Sequence, residues 1–408
     1  MEWDISKLRI EGFRIETDRY FLNSTDFGET WTSCRGYLKG KFAFASFPYS
    51  VDEDSSLKFL KENMISEVPE DPIPEGDEES FSYKGIKISE KEGKEMLLQL
   101  KNEIENEDGV RIEKILITFE RRYFSIKNSK RMNREGETWG IKVGGAVIVE
   151  KDGEAQINYD IFYFSEPNFA LEEVARFLKE PAKMLLKSEP PPTGRFRCIL
   201  QNRVVCELFE PFLQAFTAES LFKNRTLLKD KEGEKNFSEV LTIEENNPSV
   251  KEPFYMPFDG EGVKKERTFI VKNGVFRDFL YNTMYGRLYR KKPSGSSKIN
   301  PANPPSLTGL SIFINGDTPC EKLIEKMDTG CIVTGIIGGH TVNPITGEFS
   351  IGASGIFIKN GRKPFVGGII SGNFFETLNK IEAVGNDFRT IGNITSPSIL
   401  ISEINLGG

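Results

Sequence analysis

The sequence is almost without histidine, since His340 is the only one among 408 residues. A catalytic zinc ion needs about three protein ligands at short spacing, drawn mainly from His, Cys and carboxylate side chains. One histidine excludes every HExxH-type zinc site, and no CxxC pair is present either. A carboxylate site for a hard ion stays open, although no Asp-rich loop of the calcium type occurs.

The usual motifs for nucleophilic catalysis and phosphate binding are also missing. A Ser or Cys nucleophile usually needs a base, and His340 would have to serve. The chain has no GxSxG elbow and no GxxxxGK[ST] loop. A surface or interface position in a tight turn is therefore the favoured interpretation of His340.

The chain lacks an excess of positive charge and long apolar runs. A net charge of −7 argues against a nucleic-acid-binding surface. The one basic cluster, residues 286–298, is rich in Gly, Ser and Pro and predicts a mobile, solvated loop. No apolar run approaches the length of a membrane span, the first residues lack a signal-peptide core, and the five scattered cysteines are typical of reduced thiols. We expect a cytoplasmic protein without membrane or nucleic-acid partners.

The chain length and a proline-rich break in the sequence predict two domains. Three consecutive prolines in "KSEPPPTGR" form a stiff spacer. The predicted organisation is an N-terminal α+β domain at 1–187, a Pro-rich linker at 188–195 and a β-rich C-terminal domain at 196–408. Strand and helix signals do not alternate regularly, which indicates an α+β fold. We expect an N-terminal sheet with flanking helices and a mainly antiparallel C-terminal domain with a few helices.

Several local patterns predict individual elements. Residues 89–108 predict an amphipathic helix that begins with a Ser89/Glu92 capping box. A second helix is expected to be interrupted near Pro181, and a third to run from about Arg203 to Ala218. The acidic stretch 67–80 predicts a surface loop. Hairpin turns are expected at three dipeptides, namely Asp152-Gly153, Asn273-Gly274 and Asn360-Gly361.

Two stretches in the C-terminal half hold acidic or small side chains between glycines, and both are candidate interface segments. In "PFDGEG", Asp259 and Glu261 form either a polar wall or subunit contact, or a turn in which Asp259 caps local amides. In "SIGASG", small side chains between Ser350 and Ser354 indicate either a close backbone approach, as at a subunit interface, or a sharp bend of the sheet.

Four sequence blocks resemble the TldD/PmbA family, once called modulators of DNA gyrase and understood as two-subunit metallopeptidases. The blocks are 258–276, 339–365, 370–388 and 394–408. Their order and spacing carry the resemblance, which extends over nearly the whole chain. His340 lies in the second block.

In the TldD branch of this family, a helix after the domain boundary carries HExxxH. Laid on this chain, the motif falls on Cys206 to Pro211, so that Cys206 and Pro211 replace the histidines and only Glu207 remains. Near the C-terminus "NITSPSIL" stands where that branch has a Cys-Gly-Lys stretch. Both departures are typical of the TldE (PmbA) branch, which lacks the metal.

The resemblance therefore implies a zinc-free, TldE-like subunit that forms part of a peptide chamber around the zinc of a TldD-like partner. It implies no catalytic or metal-binding residues in this chain, with zinc only in the partner, and Glu207 becomes a candidate chamber residue. Two alternatives stay open. One is a stand-alone binding or assembly protein, such as a homodimer, and the other is an independent enzyme that uses Cys206 or Glu207.

Overall fold

The computed structural model describes residues 1–82, 88–247, 253–300, 302–307 and 311–408; for His340 it describes the backbone only. The fold is mixed α+β, which confirms the predicted class. The strands are β1 Glu2–Asp18, β2 Leu22–Leu38, β3 Lys41–Phe47, β4 Ser66–Glu67, β5 Glu78–Ser82, β6 Val110–Asn128, β7 Asn133–Lys151, β8 Glu154–Phe164, β9 Gly194–Leu200, β10 Ile243–Glu245, β11 Thr268–Lys272, β12 Val275–Phe276, β13 Ile312–Ile314, β14 Gly330–Ile337, β15 Glu348–Ile358, β16 Arg362–Asn373, β17 Ile381–Val384, β18 Arg389–Ile391, β19 Ile394–Ser396 and β20 Ile399–Gly407.

The helices are short by comparison with the strands. They are α1 Glu53–Glu62, α2 Glu90–Glu105, α3 Leu171–Met184, α4 Asn202–Phe209, α5 Ala218–Phe222, α6 Thr283–Tyr289, α7 Cys320–Met327 and α8 Phe374–Asn379, with 3₁₀ segments at Glu210–Phe216 and Gly339–Thr341. In the part of the chain that the structure describes, no helix has both the length and the apolar character needed to cross a membrane.

The N-terminal region builds one large sheet in the order β4-β3-β2-β1-β6-β7-β5, with β8 also paired to β7. All pairs are antiparallel except β5 with β7. Helices α2 and α3 cover one face, where Leu97, Leu100 and Leu178 are fully buried. The capping box of α2 forms as predicted: Ser89 Oγ accepts from Glu92 N (3.2 Å), and Ser89 N donates to the Glu92 carboxylate (2.7 Å).

Helix α3 runs through Pro181, so the interruption predicted there is wrong. A proline in a helix lacks the N–H that would donate to the carbonyl four residues earlier, which here is that of Phe177. The side-chain amide of Asn158 on β8 donates to the carbonyl oxygens of Phe177 (3.2 Å) and Leu178 (3.1 Å). The neighbouring strand thus replaces the missing donor, and the helix continues.

Two sheets make up the C-terminal region. One runs β12-β11-β10-β13-β19-β18; the other runs β16-β15-β14-β9-β20-β17, and an extra pairing of β16 with β20 closes five of its strands into a barrel. Most pairs are antiparallel as predicted, but β14 with β9 and β13 with β19 are parallel. The predicted linker boundary stays a prediction; β9 begins at Gly194, just inside that segment.

Helix α4 is shorter than the predicted helix from Arg203 to Ala218. The α-helix ends at Phe209, and Glu210–Phe216 continue as a 3₁₀ helix before the separate helix α5. Pro211 explains the change, because it cannot donate to the carbonyl of Glu207 and so ends the α-helical ladder.

Two stretches expected to be solvated are partly buried. In the acidic stretch 67–80, Ile73 is fully buried, and Arg287 of α6 donates to its carbonyl oxygen (2.9 Å). In the basic stretch 286–298, residues 286–289 belong to helix α6 and residues 294–297 are buried within the C-terminal region. The surface loop at 67–80 is thus buried only at its centre, whereas the mobile, solvated loop expected at 286–298 is wrong, because the partners that cover residues 294–297 lie elsewhere in the chain.

The three predicted hairpin turns are confirmed, since Asp152, Asn273 and Asn360 each have positive φ and are followed by glycines with positive φ. The N-terminal and C-terminal regions meet at a small apolar cluster in which Leu8 and Phe124 pack with Met256 and Phe258. This junction positions the candidate residues described next.

Candidate functional site

Cys206 on α4 occupies the first position of the metal motif implied by the resemblance. Its side chain is almost fully buried, and the Sγ atom lies 3.5 Å from the carbonyl oxygen of Ile394 and 3.7 Å from that of Arg389. Burial raises the pKa of the thiol to about 12. A thiol held in the neutral form and shielded from solvent is a poor nucleophile and a poor metal ligand.

Glu207 on the next position belongs to an ionic cluster that joins α4 to the N-terminal sheet. Its carboxylate lies 2.7 Å from Arg203 Nε, and Arg203 also donates to the carbonyl oxygen of Tyr159 on β8 (2.9 Å). The buried carboxylate of Asp160 lies 3.5 Å from Arg203 and 2.6 Å from Arg389. The Glu207 carboxylate is thus already paired with the Arg203 guanidinium.

The residues at the motif position do not fit a zinc ion. Cys206 is enclosed by carbonyl oxygens, Glu207 is paired with Arg203, and the side chain of Pro211 has no ligand atom. Among the residues that the structure describes, no group of three or more His, Cys, Asp or Glu side chains could hold a metal ion.

A surface groove of about 500 Å³ lies beside α4 and is lined by Glu207, Glu210, Pro211, Ile336 and Gly339; we call it the α4 groove. Three further candidates lie on neighbouring segments of the chain. The backbone of His340 lies in the adjoining 3₁₀ turn, while its side chain is outside the described part of the chain. Thr341 in that turn donates to the carbonyl oxygen of Ser350 (3.3 Å), and Ser354 on β15 pairs with Gly335 on β14. The structure therefore brings Glu207 and the backbone of the 3₁₀ turn to the groove. Ser350 and Ser354 alternate along β15 with residues buried against α4, so their side chains lie on the opposite face of the sheet.

Both interpretations of "SIGASG" find support within the chain itself. The pairing of β15 with β16 shifts register between Ala353 and Gly355, as at a β-bulge. A Cβ atom at Gly355 would collide with the carbonyl oxygen of Ile332 on β14. The close backbone approach therefore comes from the neighbouring strand.

Asp259 and Glu261 lie in a different place, at the junction of the two regions. Asp259 makes the capping contacts that the turn interpretation predicts: one carboxylate oxygen accepts from the amides of Glu261 and Val263, each at 2.9 Å. The other oxygen accepts from the amide of Ser297 (2.9 Å). Burial, and next the charge of Glu261, raise the pKa of Asp259 to about 7.

Glu261 binds across the junction. One of its oxygens accepts from Arg35 Nη1 on β2 (2.8 Å), and the other accepts from the amide and hydroxyl of Thr283, also at 2.8 Å. Arg35 in turn contacts Asp4 on β1 (2.6 Å), and all three ionic side chains are at least 95% buried. Sequence reasoning missed Asp4 and Arg35, because Arg35 is 226 positions from its partner Glu261 and no motif marks it.

Residues 193–408 match the PmbA/TldA metallopeptidase C-terminal domain. The metalloprotease PmbA of Escherichia coli O157:H7 is 32% identical over 212 residues, which cover 52% of this chain and 45% of that protein. A metalloprotease of Methanothermobacter thermautotrophicus is 31% identical over 224 residues, covering 54% and 49%. These matches span about half the length of the relatives.

Two solved structures match the whole chain. A protein described as a modulator of DNA gyrase from Thermotoga maritima superposes with a TM-score of 0.88 at 25% identity, covering 100% of this chain and 96% of that one. TldE from Thermococcus kodakarensis superposes with a TM-score of 0.84 at 20% identity, covering 100% and 97%; at that identity the likeness concerns the fold alone. The chain belongs to the TldD/PmbA metallopeptidase family.

Proposed function

We propose that this chain is a zinc-free, PmbA/TldE-like subunit of a heterodimeric metallopeptidase that degrades or matures short or unfolded peptides. The proposal depends on one observation: the chain carries the family's C-terminal domain, but the motif position on α4 holds a buried thiol, a salt-bridged glutamate and a proline. A chain with these side chains contributes to hydrolysis by shaping the space around a partner's zinc.

We place the partner contact at the α4 groove. Ile337 next to the groove is 82% exposed, and with Ile336 and Pro211 of the groove lining it would give a partner a contiguous apolar contact. Of the candidate residues, Glu207 and the backbone of His340 lie at this groove, whereas Ser350 and Ser354 face the other side of β15, outside the proposed contact. Asp259 and Glu261 are buried at the junction, where they would support a chamber wall from behind. We also propose a cytoplasmic location, supported by five cysteines that are all free.

The test combines the chain with an HExxxH-bearing relative from the same source. The purified chain alone should hydrolyse no unstructured test peptide, and hydrolysis should appear on mixing and stop with a chelator. Stoichiometric zinc in the isolated chain, together with chelator-sensitive hydrolysis, would overturn the proposal. If mixing gives neither a complex nor activity, the stand-alone binding protein replaces it.

Matched surface variants locate the contact. Ile337→Asp should weaken complex formation at least tenfold, because it places a charge in an apolar interface. Ile65→Asp is the control, since Ile65 is 84% exposed on the N-terminal region, away from the groove. Equal effects of the two variants would remove the α4 groove from the interface.

The independent enzyme that uses Cys206 is disfavoured by the burial of its thiol. Such an enzyme would lose all turnover in Cys206→Ala. In our proposal, Cys206→Ala leaves the activity of the mixed complex unchanged.

A further inference from the structure

A cleft of about 350 Å³ lies between the N-terminal and C-terminal regions, apart from the α4 groove. Arg122, Lys142 and Tyr163 line it from the N-terminal sheet, and the rest of the lining belongs to the C-terminal region. Its size lies within the range of about 300–1,000 Å³ typical of small-molecule sites, which often form where domains meet.

The buried serines of the basic stretch contribute to the wall of this cleft. The Ser297 amide donates to Asp259 (2.9 Å), and its carbonyl oxygen accepts from the Gly260 amide (2.8 Å), which fixes the backbone. Ser296 Oγ donates to Glu245. Ser297 is 4% exposed, and among the described residues its Oγ has no hydrogen-bond partner. A buried hydroxyl without a partner is uncommon, and it keeps its capacity to donate to a ligand in the cleft.

Phe254 gives the cleft an aromatic wall in an unusual backbone conformation. Its φ is 61°, which is rare for a bulky residue and persists only where the surroundings enforce it. The ring lies on Gly140, where any Cβ atom would collide with it, and the Arg122 guanidinium stacks 3.8 Å from its centroid. Such backbone outliers cluster at binding sites.

Four cationic side chains line the cleft, and two of them have no carboxylate partner among the described residues. Arg122 and Lys142 share the carboxylate of Glu120, at 2.5 and 2.8 Å. Lys265 and Lys298 also line the cleft, and no described carboxylate lies within ion-pair distance of either. The lining carboxylates Glu245 and Asp259 accept hydrogen bonds from the serine segment. Lys265, whose ammonium lies 5.5 Å from the centre of the Tyr255 ring, and Lys298 thus carry charges that no described carboxylate neutralises. In a chain of net charge −7, these two charges point to an anionic ligand.

We propose that this cleft binds the terminal carboxylate of a short peptide. Lys298 and Lys265 pair with the carboxylate, the Ser297 hydroxyl donates to it, and the last side chain packs on Phe254. That the anion belongs to a peptide rests on the proposed function; the anion site itself rests on the contacts above. Inorganic phosphate is the other source of the same charge.

Calorimetric titration of the full-length chain tests the site with three probes: an N-acetylated tripeptide ending in Phe with a free carboxylate, the same tripeptide amidated, and inorganic phosphate. The free acid should bind, and amidation should weaken binding at least tenfold, the size of one lost charge-assisted hydrogen bond. Equal binding of acid and amide, or no binding of the acid, overturns the proposal. Phosphate that binds tighter than the acid also contradicts the peptide assignment.

Variants of an exposed lysine separate binding from folding. Lys298→Met should weaken binding of the acid about tenfold, whereas Lys298→Arg should retain most of it. Lys322→Met is the control, because Lys322 lies on α7 outside the cleft. The unfolding temperature should stay constant in all three variants. An effect of Lys322→Met equal to that of Lys298→Met would contradict the site.

The two proposals fail in different ways. If mixing with the HExxxH-bearing relative restores hydrolysis but the isolated chain binds no free acid, only the carboxylate site is wrong. If the isolated chain binds the acid in preference to the amide but no partner is found, the site stands and the subunit role is wrong.

Discussion

Two of the ionic clusters that connect the N-terminal and C-terminal regions differ chiefly in burial. The junction triad, Asp4–Arg35–Glu261, is at least 95% buried at every side chain. In the α4 cluster, Arg203 and Glu207 are 24% and 28% exposed. Solvent screens the second cluster and not the first. The same pairing chemistry should therefore have a large effect on stability at one contact and a small effect at the other.

The largest expected effect is that of Arg35→Met. It removes the cation shared by Asp4 and Glu261 and leaves two buried carboxylates without compensation, which costs about 3–5 kcal/mol of the free energy of unfolding. Denaturant unfolding measures it. Arg203→Met is the matched control and should cost about 1 kcal/mol. Similar losses in both variants would contradict the comparison.

The pH dependence of the free energy of unfolding tests the burial of Asp4 in the junction triad and of its neighbour Asp259. Burial raises the pKa of Asp4 to about 6 and that of Asp259 to about 7, both above the unfolded value of 3.8. The folded chain then holds more protons than the unfolded chain between these values. The stability contributed by these two groups is present below about pH 4 and is lost as the pH rises through 6 and 7.

The charge of Glu261 raises the pKa of both groups, so Glu261→Gln should flatten the slope of unfolding free energy between pH 5 and pH 7. Glu207→Gln should leave the slope unchanged. The raised pKa values would be contradicted if the free energy of unfolding fell as the pH was lowered from 7 to 5 and Glu261→Gln did not alter this slope.

The features that the sequence predicted correctly depend on contacts between residues close together in the chain. The Ser89/Glu92 box and the three Asx-Gly turns depend on neighbours within a few residues, and all formed. Pro181 was misjudged because its compensating donor, Asn158, is on another element. The serines at 294–297 look like a loop by composition, yet Asp259 anchors them 38 positions away.

The candidate site residues show the same difference between local contacts, which the sequence predicts, and distant contacts, which it does not. Asp259 could be assigned as a turn cap from its own sequence, whereas the role of Glu261 depends on Arg35, which no spacing rule connects to it. The inter-region cleft was missed altogether. Its signal was present as a basic stretch containing buried serines, but the burial of these serines depends on Asp259 and Glu245, which lie 38 and 51 positions away along the chain.

An intermediate effect is expected for Arg389→Met at the buried end of the α4 cluster. Asp160 would lose its contact at 2.6 Å and keep Arg203 at 3.5 Å and the amide of Ile161. The cost should be about 1.5–3 kcal/mol, typical of a hydrogen bond to a charged group. Arg389→Lys should recover part of it. A loss as large as that of Arg35→Met would mean that burial of Asp160 alone sets the energy.

The smallest expected effect is that of Glu207→Gln, which weakens one half-exposed pair four residues apart on a helix. Such pairs contribute about 0.5 kcal/mol or less, and Arg203 keeps its bond to the carbonyl oxygen of Tyr159. Denaturant unfolding at low and high salt measures it, and the difference from the unmodified chain should vanish in high salt. The variant also separates stability from assembly. Because Glu207 lines the α4 groove, a changed affinity for the partner with unchanged stability would make it an interface residue. A loss of more than about 1 kcal/mol in the free energy of unfolding that salt does not screen would show that the α4 cluster is effectively buried. That result would remove the contrast with the junction triad.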